Sequence, residues 1–145
     1  MTHTRSEILA MTPEQLRVEI AKKKGWTFSK TAGGNVWAQF HGSIGSLGYS
    51  EIDALSVESG KLNISTDYPN DIAAAWGLVL DLQKSNVGFE LYNCWITSID
   101  GERWTYEVIL YDPIGQSIGS EKIEAPTAPL AISRAWMIWS EESGK

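Results

Sequence analysis

Phe89-Glu90-Leu91-Tyr92-Asn93-Cys94-Trp95-Ile96-Thr97, then Ser98-Ile99-Asp100-Gly101, then Trp104-Thr105-Tyr106-Glu107-Val108-Ile109-Leu110-Tyr111 is the stretch on which the fold turns. Side chains alternate along an extended chain, so Phe89, Leu91, Asn93 and Trp95 share one face while Glu90, Tyr92, Cys94 and Ile96 share the other. The second segment sets Trp104, Tyr106, Val108 and Leu110 against Thr105, Glu107, Ile109 and Tyr111. Between them, Asp100-Gly101 is a dipeptide that tolerates the positive φ of a tight hairpin. Asp112-Pro113-Ile114-Gly115 turns the chain again, toward a weaker strand near 117–124. The expected product is an antiparallel meander with large apolar groups on both faces, which needs cover on both.

That cover comes from helices. Thr12-Pro13-Glu14-Gln15 combines a cap hydroxyl, a proline at the first helical position and a glutamine placed to bond back to the Thr12 amide. The helix it opens has Lys22, Lys23 and Lys24 at the negative end of its dipole, stops at Gly25, and lets Trp26 fold back on Ile20 or Ala21. Asp67-Tyr68-Pro69-Asn70-Asp71 precedes a second helix over about 70–84, with Ile72, Trp76, Val79 and Leu82 at helical spacing and Gly77 as an interior weakness that close packing could justify. The last helix starts at Thr127, with Pro129 in its first turn, and runs to about Glu142. Leu130, Ala131, Ile132, Ala135, Trp136, Met137, Ile138 and Trp139 make it apolar nearly all round, so it is either deeply buried or part of a subunit contact. Between the first two helices, Trp26–Ser29 with Val36–Phe40 reads as a hairpin across Ala32-Gly33-Gly34-Asn35, and Ile52–Val57 with Leu62–Thr66 as another across Ser59-Gly60. The fold class is α+β: a meander sheet covered on both faces, an α/β/α sandwich with three main helices. Residues 11–145 are expected to form one domain, behind a leading segment 1–10 that is mobile or a short helical turn.

Composition narrows the function. Twelve Lys plus Arg against eighteen Asp plus Glu give a net charge of −6 over 145 residues, the wrong sign for neutralising a nucleic-acid backbone. Residues 1–25 carry five basic and three acidic side chains, which leaves −8 for residues 26–145. No window approaches the ~18 consecutive apolar residues of a membrane span, and the N-terminus has no apolar signal core, so a cytoplasmic protein is expected. One cysteine, Cys94, and two histidines, His3 and His41, cannot build a disulfide framework or a Cys/His zinc cage. No cofactor or metal is expected. Cys94 reads as a buried inert thiol, Glu107 and Asp112 fall on opposite strand faces, and no nucleophile lies beside a base, so the protein is expected not to be an enzyme.

Met11-Thr12-Pro13-Glu14 with Gly25-Trp26, Asp71-Ile72-Ala73-Ala74-Ala75-Trp76, and the closing run from Ala125-Pro126-Thr127 to Ser133-Arg134-Ala135 together resemble the phage ABA sandwich domain family, small proteins of phages and prophages. The resemblance covers about residues 11–29 and 67–142. It implies a sheet between helices, makes residues 30–66 a longer insertion relative to the family and the place for a specialised activity, and supplies no catalytic signature.

Seven tryptophans are many for this length, and core packing accounts for most of them. Trp37 and Trp104 lie beside loops and are the stacking candidates for a flat ligand. His41-Gly42-Ser43-Ile44-Gly45-Ser46-Leu47-Gly48-Tyr49 is expected to be a loop. Its backbone amides and the hydroxyls of Ser43 and Ser46 could meet a phosphate, with His41 and Tyr49 at its edges, although it is neither a Walker sequence nor a dinucleotide fingerprint. Arg134, among apolar neighbours, could reach a phosphate or simply snorkel. The candidate ligand-binding set is therefore Trp37, His41, Ser43, Ser46, Tyr49, Trp104 and Arg134. It favours a phage-encoded, homo-oligomeric protein that sequesters a nucleotide-like host immune signal, an anti-defence sponge, with no nucleic-acid or membrane partner. The alternative is a protein-interaction or inhibitor module acting through the last helix, which requires an exposed Trp136/Met137 patch.

Overall fold

The computed structural model describes residues 3–118 and 123–144. Along the chain run α1 (Arg5–Ala10), α2 (Pro13–Lys23), β1 (Trp26–Lys30), β2 (Val36–Phe40), β3 (Ser46–Gly48), α3 (Glu51–Lys61), α4 (Ile72–Lys84), β4 (Gly88–Ser98), β5 (Gly101–Tyr111), β6 (Ile123–Ala125) and α5 (Ala128–Ser143). The protein is α+β, with two three-stranded antiparallel sheets ordered β1-β2-β3 and β4-β5-β6. Its residues group into two compact units, Met11–Asp67 and a second made of Met1–Ala10 with Tyr68–Lys145.

In the first unit, α2 opens on the capping box its sequence announces: the Thr12 hydroxyl accepts from the Gln15 amide and the Gln15 side chain accepts from the Thr12 amide. Beyond its end, Gly25 sits at φ +109°, and Trp26 turns back to pack with Val18, Ala21 and Leu55. The expected β1–β2 hairpin forms, one residue longer in its first strand, with Trp26 opposite Phe40 and Lys30 opposite Val36. Two expectations fail here. The glycine-rich stretch is a loop only in part, because Ser46–Gly48 pairs with Val36–Ala38 as β3. Residues 51–61 form α3 and not a strand, with no hairpin to 62–66, which brings the helices to five among the described residues. The Ser50 hydroxyl accepts from the Asp53 amide and starts that helix, while Ala54, Leu55, Glu58 and Ser59 bury one helical face.

In the second unit, β4 and β5 form the expected antiparallel pair over their full length, with Phe89 opposite Leu110, Trp95 opposite Trp104 and Ser98 opposite Gly101. The hairpin turns on Gly101 at φ +112°. β6 adds to β5 with Ile123 opposite Val108, Ser117 makes a lone bridge to Tyr111, and residues 119–122 of the strand expected near 117–124 lie outside the described residues. Helix α4 is capped by Asp71, whose carboxylate accepts from the Ala73 amide at 3.0 Å. Its buried face is Ala75, Leu78, Val79 and Leu82; Ile72 and Trp76, expected on that face, are about half exposed. The helix is apolar on two neighbouring stripes, and periodicity alone cannot choose between them.

Helix α5 is the centre of this unit and packs against β5, β6, α4 and α1. Every residue from Leu130 to Ser140 is buried except Arg134, which is partly so. Thr127 holds the N-cap position without the expected side-chain hydrogen bond, and Gly144 closes the helix at φ +72°. The leading segment contains α1, anchored by buried Ile8 and by Arg5 paired to Glu142 at 3.1 Å.

Gly77 of α4 has nothing within 4 Å of where a Cβ would stand, so close packing does not explain it. Gly77→Ala should therefore raise stability by about 1 kcal/mol through helix propensity alone. Urea denaturation of the two proteins checks this, with an unchanged or lower midpoint as the contrary result.

Candidate functional site

The strongest constellation lies in the second unit, where Arg103, Thr105, Glu124, Ala125, Pro126 and Arg134 line a cavity of about 330 Å³. Strand alternation puts Arg103 and Thr105 on one face of β5, and Glu124 comes from β6. Arg134 enters from α5. Its Nη1 donates to the Glu124 carbonyl at 2.7 Å, while its Nε is buried with no hydrogen-bond acceptor. Burial lowers the Arg134 pKa from its ordinary value, since a charged guanidinium loses hydration there. Among the described residues neither Arg103 nor Arg134 forms a salt bridge. The Thr105 hydroxyl donates to the Ala125 carbonyl at 3.1 Å, which keeps its oxygen lone pairs as acceptors. Two guanidinium groups and one carboxylate, that of Glu124, thus border a small polar cleft with a positive balance.

Only Arg134 of the seven candidates belongs to this cleft. Trp104, 58% exposed, alternates to the face opposite Arg103 and Thr105 and makes an edge-to-face pair with Trp95 at 5.1 Å between ring centroids.

The other five lie in the first unit, and they do not form an open phosphate cradle. Ser43 donates to Glu58 Oε1 at 3.4 Å and Ser46 to Glu58 Oε2 at 3.0 Å, and Glu58 is itself buried. These hydroxyls face a carboxylate, whose charge would repel a phosphate placed among them. Trp37 on β2 is half buried, and its indole Nε1 lies 2.6 Å from where a Cβ on Gly45 would stand, so the loop backbone packs on it. His41, at φ +48°, sits 4.2 Å from the Phe40 ring between centroids and lies over Gly25. Tyr49, 87% exposed, follows β3 directly.

Glu58 and Arg103 were not among the sequence candidates. Read as a strand ending at Val57, residues 52–57 left Glu58 as a turn charge, and only the helical spacing of Ala54, Leu55 and Glu58 could have turned it inward. Arg103 had the appearance of a solvated turn charge beside Asp100-Gly101.

Cys94 is half buried and free. Among the described residues, no cluster of three or more His, Cys, Asp or Glu side chains could hold a metal ion, and no helix is long and apolar enough to cross a membrane. No protein-family model matches the chain, and no curated protein matches it either.

Proposed function

We propose that this is a small-ligand-binding protein that holds a nucleotide-like anion in the Arg103–Thr105–Arg134 cleft and releases it chemically unchanged. The observation that carries this reading is the Arg134 guanidinium, partly buried, free of any carboxylate and with Nε–H lacking an acceptor. An unsatisfied buried donor costs about 1–3 kcal/mol, and a phosphate or carboxylate accepting from the guanidinium fork recovers that loss. Arg103 completes the recognition from β5, while the Thr105 hydroxyl, donating to the Ala125 carbonyl, fixes the β5–β6 wall of the cleft. At about 330 Å³ the cavity is at the small end of ligand sites, suited to one phosphate-bearing end of a nucleotide. The resemblance to phage ABA sandwich proteins extends the proposal to a nucleotide-derived host signal, sequestered in the cytoplasm of an infected cell.

Thermal-shift titration against cyclic dinucleotides, cyclic oligonucleotides and ADP-ribose derivatives tests it. A ligand at 100 times its dissociation constant adds about 2.7 kcal/mol, a shift of several degrees for a domain of this size. Arg134→Ala should weaken binding of any such probe on the order of 100-fold, since a charge-assisted fork is removed. Chromatography of the heat-released ligand should return it intact. Altered ligand would make the protein an enzyme, and an Arg134→Ala variant with unchanged affinity would remove the cleft from the site.

A further inference from the structure

A second surface is independent of the cleft. Among the described residues β4 is an edge strand eleven residues long, with β5 as its one strand neighbour. A free edge of that length offers a row of unpaired backbone donors and acceptors, and natural edges are normally blunted by charge, proline or a bulge. β4 has no proline, and its pairing with β5 is continuous from Gly88 to Ser98 without a bulge. It carries a single charge, Glu90.

The flanking helix is unprotected in the same place. Ile72, Trp76 and Leu80 recur at a spacing of four along α4 and are each about half exposed. Trp76 meets Phe89 of β4 edge-to-face at 6.3 Å, so the exposed stripe runs beside the open edge and on the face of the sheet that carries Trp95 and Trp104.

We infer that β4 pairs with β4 of a second copy of this chain, joining two three-stranded sheets into one of six strands and bringing the Trp76 stripe of each α4 toward the Trp95 end of the partner's β4. A twofold axis perpendicular to the sheet keeps each side chain on its own face, so α4 and its mate lie on the same side. In the register that uses all of Gly88–Ser98, Asn93 is the midpoint and faces Asn93 of the partner subunit. Leu91 then meets the partner's Trp95. Glu90 meets the partner's Ile96, so the two like charges are never opposed. A nearly uncharged edge also suits self-association in a protein whose net charge of −6 makes copies repel elsewhere. Trp76 and Trp95 with Ile72 and Leu80, each about half exposed, hold on the order of 400–500 Å² of apolar surface per copy, so two copies have up to about 1,000 Å² for pairing to cover, the size at which specific interfaces begin.

Sedimentation equilibrium of the full chain should give twice its 16.0 kDa mass. Trp76→Glu should raise the dimer dissociation constant on the order of 100-fold, because a charge would replace the aromatic that packs on Phe89 beside the paired edge. Circular dichroism and thermal unfolding check that the variant folds. Asn93→Cys in a Cys94→Ser background should form a covalent dimer on mild oxidation, while Thr97→Cys in the same background, whose opposite number is the partner's Phe89, should not. A monomeric wild-type chain, a folded Trp76→Glu protein that still dimerises as tightly, or equal cross-linking at positions 93 and 97 would each overturn the proposal.

Discussion

Replacing Gly48 by alanine should cost the Met11–Asp67 unit about 3 kcal/mol, a larger loss than most single-methyl additions produce. Helix α3 crosses β3 at this residue. A Cβ there would stand 2.4 Å from the Ala54 amide nitrogen and 2.9 Å from the Ala54 Cα. Those are backbone atoms of a capped helix, so no side chain can swing away to make room. The helix must lift, and with it Ala54 and Leu55, which pack into the two small apolar clusters of this unit around Val36 and Ala38 and around Trp26. The Ser46–Glu58 hydrogen bond spans the same two elements and should lengthen as well. Hydrogen exchange is the appropriate readout, with faster exchange expected at the amides of β2, β3 and α3. Unchanged protection would mean that α3 does not rest on Gly48.

Met137→Lys should lower the melting temperature by roughly 10 °C or more, from a loss of at least about 4 kcal/mol spread over a chain of this length. Met137 is fully buried and Trp136 nearly so, within a helix whose residues from Leu130 to Ser140 are almost all enclosed. A lysine there must either carry an unpaired charge into an apolar interior or give up its proton. The result also decides between two views of α5. A docking helix would expose Trp136 and Met137, would tolerate the lysine, and would lose a partner rather than its fold. The burial of both residues favours a core role, and a folded Met137→Lys protein with an unchanged melting temperature would restore the docking view.

The candidate site was legible only in fragments. Arg134 stood out in the sequence because a guanidinium interrupts an otherwise apolar helix, and it is the one candidate found beside other groups suited to an anion. Ser43 and Ser46 were noticeable for their glycine spacing, but their hydroxyls turn inward to Glu58. That turn depends on α3, which the sequence disguised: Ile52–Val57 is short, and the Ser59-Gly60 pair reads as a hairpin turn, so the Ser50 cap and the helical spacing of Ala54, Leu55 and Glu58 are easily passed over.

What the sequence determined by itself is what short-range physics controls. The β4–β5 hairpin and the face each of its side chains takes follow from a two-residue side-chain period and a glycine at the turn, the start of α2 from a hydroxyl and a glutamine three residues apart, and the reversal at Trp26 from the glycine before it. The α+β class follows from those local choices, because each leaves one apolar face to bury. Only the tertiary structure decided which of two apolar stripes on α4 is enclosed, that α5 is a core helix, that residues 51–61 wind into a helix against Gly48, and that Arg134 lines one cleft with Arg103 and Thr105. Each of these depends on contacts between residues distant in the chain, where a local pattern fits more than one arrangement and the burial of the whole unit selects among them.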